Sequence, residues 1–151
     1  MFHMFWNGKD LEQFMAHKEF IDTAIVPLPK LDGSMEGIKQ SASSSDFLLS
    51  LTNFIEQQFK GRVVVTPPVL YTAAMDQQLL LQNIAEQLEI AGFKHTFFVS
   101  SDHAFSSFNQ QYNVIWLPSI PLESMDQKMK QSVLGDQLRQ IIPIFSQKWG
   151  S

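Results

Sequence analysis

Four short apolar runs constrain this chain more than any other feature: TAIVPL (Thr23–Leu28), RVVVTP (Arg62–Pro67), TFFVS (Thr96–Ser100) and NVIWLP (Asn113–Pro118). In each, the apolar residues are consecutive rather than alternating, so a strand made from them needs cover on both faces. Parallel sheets sandwiched between helices supply that cover, because their crossover connections lay helices on both sides.

The segments between the runs have helical period. Phe47, Leu48, Leu51, Phe54, Ile55 and Phe59 recur at three and four and predict a helix after Ser45, ended near Gly61. From about Met75, Leu80, Leu81, Ile84, Leu88 and Ala91 form a second apolar stripe, stopped at Gly92. An earlier helix is expected at about Asp10 to Phe20. SMDQ (Ser124–Gln127) has the form of a capping box for a last helix, in which Pro143 is expected to introduce a kink.

Strands alternating with helices at this spacing predict a three-layer α/β fold. The expected core is a Rossmann/flavodoxin-like, mostly parallel sheet of four strands flanked by helices, with FHMFW (Phe2–Trp6) as a candidate fifth strand. The link from Ser101 to Tyr112 is about a dozen residues, close to the minimum for a parallel crossover. A short helix in AFSSFNQQ is the preferred reading there, with an antiparallel edge strand as the alternative. The longest irregular stretch, Pro29–Ser45, holds two glycines and five serines and is expected to be the most mobile part of the chain.

Composition narrows the function classes. With 151 residues, 44% of them hydrophobic, the chain has the length of a single α/β domain, 1–151. The net charge is −4 and the 11 basic residues are scattered, so there is no basic stripe for nucleic acid or anionic lipid. The absence of cysteine excludes disulfides and thiol chemistry. The opening MFHMFWNGKD lacks the pattern of a signal peptide, and no apolar stretch approaches the ~20 residues needed to span a bilayer, so a cytoplasmic protein with no membrane partner is expected. The 13 Phe and 3 Trp exceed what so small an interior needs. Self-association as a homodimer is therefore expected, through the C-terminal segment Ser124–Trp149.

Ligands of open parallel sheets bind outside the carboxyl ends of the strands. Six of the seven prolines fall at three of those exits, where they either stiffen a pocket rim or simply terminate strands. The exit without proline is SSDHAF (Ser101 being its second residue), and it carries Asp102 and His103, the candidate catalytic residues: a carboxylate and an imidazole can supply or orient a general base. Asp102 is equally suited to cap a short helix beginning at His103. Thr66, Tyr71 and Ser101 are the candidate ligand-binding residues, although a buried tyrosine with a satisfied hydroxyl is the blander reading of Tyr71. Trp116 reads as core.

No cofactor is expected, because neither a G-x-G-x-x-G turn nor a P-loop follows a strand, and no serine sits in a G-x-S-x-G elbow. No metal is expected either. His95 and His103 lie at opposite ends of one strand, ~26 Å apart at the rise of extended chain, and His3 and His17 lack partners at zinc-site spacing.

The N-terminal WNGKD (Trp6–Asp10), followed by KEFIDTAIVPL (Lys18–Leu28), resembles the YpiF-like family of Gram-positive bacteria, small proteins grouped as a domain of unknown function. The likeness is strongest over the first 28 residues, and the family implies no activity. Two function classes follow from the residues themselves. One is a non-catalytic cytoplasmic binding or assembly module that self-associates, with a small molecule or protein as partner. The alternative is a small enzyme acting on a small-molecule substrate at the strand exits, beneath the Pro29–Ser45 loop.

Overall fold

The computed structural model describes residues 3–150. Helix α1 (Gly8–Ala16) precedes strand β1 (Thr23–Pro27), followed by α2 (Ile38–Gln58), β2 (Val63–Val65), α3 (Gln77–Ala91) and β3 (His95–Ser100). A 3-10 helix (His103–Phe108) runs into the single turn α4 (Asn109–Tyr112), then β4 (Val114–Trp116) and the long α5 (Gln127–Trp149). All four strands are parallel, in the order β2-β1-β3-β4. The short-helix reading of the third crossover is correct, and β4 is a parallel strand.

The non-alternating runs have the predicted cause. Ile25, Val63, Val65, Phe97, Val99 and Ile115 face α2 and α5, in one core with Leu51, Leu138 and Phe145. Ala24, Val26, Val64, Phe98 and Val114 point to the other side, against Phe14 of α1 and Leu81 and Leu88 of α3. Successive strand residues alternate faces, and a helical layer covers each face, so both sets are apolar. Among the described residues no helix is long and apolar enough to cross a membrane.

Local details differ from expectation where polar chemistry replaces apolar pattern. α2 begins at Ile38, so half of the serine-rich stretch is helix rather than loop. Its serines are held by specific bonds: Ser41 Oγ donates to the Lys30 carbonyl at 2.5 Å, and Ser43 Oγ donates to Glu123 at 3.1 Å. α2 ends at Gln58, and Gly61 takes a positive φ of 86° in the turn into β2. Gly92 ends α3 with a φ of 108°, as its position predicts. α1 starts two residues earlier than expected, capped by Asn7, whose side chain accepts from the Asp10 amide.

The cap of α5 is Asp126, which accepts from the Met129 amide at 2.8 Å, rather than Ser124. Pro143 lies inside α5, which continues through it to Trp149. Of the N-terminal FHMFW segment, Phe2 lies outside the described residues; the rest adds one parallel bridge, Phe5 to Val65, at the outer edge of β2 rather than a full strand. Buried Glu56 anchors this segment by accepting from the Met4 amide at 3.1 Å and pairing with His3 at 2.6 Å.

Candidate functional site

The chain enters the sheet at β1, adds β2 on one side, then crosses back to place β3 on the other. The crossovers therefore diverge between β1 and β3, and a crevice opens at the carboxyl ends of those strands. A cavity of about 250 Å³ lies there. The β1 exit contributes Leu28, Lys30 and Asp32, the β3 exit Ser101, Asp102 and His103. The first turns of α2 form one wall, including Gln40, Ser41 and Ser44.

Tyr71 reaches this crevice although it follows β2, which is separated from β3 by β1. The segment Pro67–Tyr71 turns alongside the β1 exit, with the Val69 amide bonded to the Pro27 carbonyl and the Tyr71 amide to that of Pro29. The Leu31 amide then donates to the Tyr71 carbonyl at 2.8 Å, completing a parallel bridge between Lys30 and Tyr71. This carries the tyrosine into the crevice and fixes the root of the Pro29–Gly37 loop.

The Tyr71 hydroxyl donates to Asp102 Oδ2 at 2.8 Å. Asp102 Oδ1 meanwhile accepts from the Ala104 amide at 3.0 Å, capping the 3-10 helix, and the Asp102 amide donates to Ser100 Oγ. Asp102 is thus both a cap and a partner of Tyr71. Burial, and then the hydrogen bond to Asp102 and its charge, push the Tyr71 phenol far above its ordinary pKa, so the hydroxyl stays protonated and donating. Lys30 Nζ stands 4.0 Å from Asp102 Oδ2.

At the start of α2 the Asp32 carboxylate lies against Gly37, where a Cβ would collide with it. It accepts from the Ser34 amide, and bonding to Ser34 holds its pKa below the usual range. Its charge meets the positive end of α2, which has no side-chain cap.

Ser101 is the exception in this bonded frame. Its Oγ is buried and has no hydrogen-bond partner among the described residues. Two further orphaned atoms, Trp116 Nε1 and Ser119 Oγ, lie at the exit of β4 and do not line the crevice.

Of the predicted site residues, the structure brings together Tyr71, Ser101, Asp102 and His103. Thr66 is not among them. It lines a separate hollow with Phe5, Trp6 and Pro67, and its hydroxyl donates to the Pro67 carbonyl at 3.0 Å. His103 is exposed, its ring edge-on to Trp116 at 5.1 Å, and Trp116 is half-buried rather than core. Lys30, Asp32 and the α2 serines escaped the sequence reading. Lys30 stands three residues beyond β1, and that was the available signal. Among the described residues, no three His, Asp or Glu side chains are grouped so as to hold a metal ion.

A family model described as "Protein of unknown function (DUF2487)" matches residues 12–149. The chain belongs to this family. It is 27% identical over 150 residues to "Uncharacterized protein YpiF" of Bacillus subtilis (strain 168), covering 98% of this chain and 99% of that relative. The family resemblance read from the N-terminal residues therefore holds along nearly the whole chain. No solved structure gives a significant match.

Proposed function

We propose that this chain is a single-domain, non-catalytic cytoplasmic binding module whose crevice between the β1 and β3 exits takes a small molecule. The observation that carries the reading is the cavity of about 250 Å³ at the β1 and β3 exits, where Lys30, Ser101, Asp102 and His103 line one concave site. Ligand sites are concave and largely apolar with a few convergent polar groups, and this crevice sets Leu28 and Leu48 beside those polar residues. Binding is favoured over proton transfer because Asp102 is held by the Ala104 amide and by Tyr71, and no hydrogen bond joins it to His103 among the described residues. Titrating a metabolite mixture into ¹⁵N-labelled protein tests this. Shifts concentrated at Lys30–Leu31, Tyr71 and Ser101–His103 are expected; shifts confined to the Thr66 hollow, or none, would reject it.

Self-association is part of the same proposal. The apolar stripe of α5 is used inside the fold, with Leu134, Leu138, Ile141 and Phe145 buried and Trp149 packed on Phe59. α5 keeps Met129 and Ile144 exposed, and Leu31, Met35 and Ile38 are exposed on the loop and first turn at the crevice rim. Sedimentation should give a dimer that Met35→Lys weakens; a clean 17.3 kDa species at micromolar concentration would end this part of the reading.

A further inference from the structure

We infer that Met35 is an oxidation site: a peroxide converts its thioether to the sulfoxide, and the polar group this puts on the crevice rim weakens self-association. The consequence rests on reading that rim as the self-association surface; the site itself does not. The chain has no cysteine, so its methionine thioethers are its only readily oxidised sulfur. Access from solvent decides which of them a peroxide reaches. Met35 is 92% exposed, against 70% for Met15 and about half for Met129 and Met75. Met125 is half-buried, and Met4 lies in the core beside Phe14 and Val64.

Local structure holds Met35 away from the fold. It sits in the turn that leads into α2. That turn is fixed by the Ser34 amide donating to Asp32 Oδ1 at 3.0 Å, the Gly37 amide donating to Ser34 Oγ at 3.1 Å, and the Ile38 amide donating to the Ser34 carbonyl at 2.9 Å. None of these bonds uses the Met35 side chain, so its oxidation leaves the turn and the sheet intact. In the reaction a sulfur lone pair takes one peroxide oxygen, the O–O bond breaks, and the other oxygen leaves as water. The thioether gives up two electrons and the peroxide gains them. A flexible apolar side chain becomes a polar one, in a loop and first turn where Leu31 and Ile38 are also exposed.

Full-length wild type and Met35→Leu are treated with hydrogen peroxide over a time course, and peptide mass mapping follows the gain of one oxygen at each methionine. Met35 should be oxidised first among the described methionines and Met15 next, with Met4 slower by about tenfold or more, because it reacts only when the core opens. Sedimentation of the same samples reads the consequence, with circular dichroism to verify that the fold survives. Self-association of the oxidised wild type should be about tenfold weaker, that of oxidised Met35→Leu unchanged, and methionine sulfoxide reductase should restore the wild type. A rate at Met35 no greater than at Met15 or Met75 would overturn the site. Preferential oxidation with unchanged association, or equal weakening in Met35→Leu, would overturn the consequence. If the untreated wild type is monomeric, self-association and the consequence fall together, and the mapping still decides the site.

Discussion

Asp102 is where capping and tertiary bonding can be separated by experiment. An aspartate that only caps the 3-10 helix should tolerate asparagine, which keeps an acceptor for the Ala104 amide, and should lose about 0.5–2 kcal/mol on truncation to alanine. The Tyr71 bond changes both expectations. Tyr71 is almost wholly buried, and its hydroxyl loses its protein acceptor when Asp102 is replaced. A hydrogen bond to a charged acceptor contributes about 1.5–3 kcal/mol. Asparagine can rotate its carbonyl to only one of the two donors, so Asp102→Asn should cost about 1–2 kcal/mol. Asp102→Ala loses the cap and the Tyr71 acceptor together and should cost about 3 kcal/mol. Tyr71→Phe should cost less than Asp102→Ala, because the cap survives and the partly exposed carboxylate recovers water and Lys30. The assay is urea unfolding of wild type, the single variants and Tyr71→Phe/Asp102→Ala, with a coupling of about 1.5 kcal/mol expected from the cycle. A neutral Asp102→Asn, together with a coupling near zero, would show that the Tyr71 bond contributes nothing beyond geometry.

Three other outcomes follow from the structure. Arg62 lies over the Trp149 ring at 3.9 Å and donates to Asp22 at 3.1 Å, so Arg62→Lys should destabilise by about 1 kcal/mol and red-shift the tryptophan emission; an unchanged spectrum and melt would refute this. Glu56→Ala should leave the Met4 amide without its acceptor and free the N-terminal segment, costing about 1–3 kcal/mol and raising amide exchange at residues 4–6; unchanged exchange there would argue against the anchor. His95 has its pKa lowered, chiefly by burial, with the nearby Asp22 opposing. The unfolded chain therefore takes up this proton first as pH falls, so stability is full above the ordinary histidine pKa near 6.5 and declines below it. The urea midpoint should fall between pH 7 and 5, less steeply in His95→Gln, and equal slopes in the two proteins would contradict the assignment.

The parts of the fold that were legible in the sequence are those where burial leaves a one-dimensional trace. Val63–Val65 and Phe97–Val99 had to be covered on both faces, and Gly92 had to end a helix. The start of α2 was illegible because serines stand where an apolar stripe would be expected. What holds them is long-range or cross-loop bonding, as from Ser43 to Glu123 and Ser41 to Lys30, which leaves no periodic signal. The same blindness split the site. Asp102 was readable as a cap from its place before a short helix, but its partner Tyr71 lies 31 residues away and arrives by main-chain bonds to Pro29 and Leu31. Thr66, which shares an exit with Tyr71 in sequence, stays behind on the far side of β1.

The central claim is that the crevice at the β1 and β3 exits is a ligand site, and filling it is the most direct test. Ser44 lines that cavity from α2 and is half-buried, so Ser44→Trp should occupy the space while leaving the sheet intact. Native mass spectrometry of wild type and Ser44→Trp, each incubated with the small-molecule fraction of a bacterial lysate, reads the consequence. The account predicts a discrete adduct on the wild type that is absent from the folded variant. An adduct of equal occupancy on both, or none on the wild type, would contradict it.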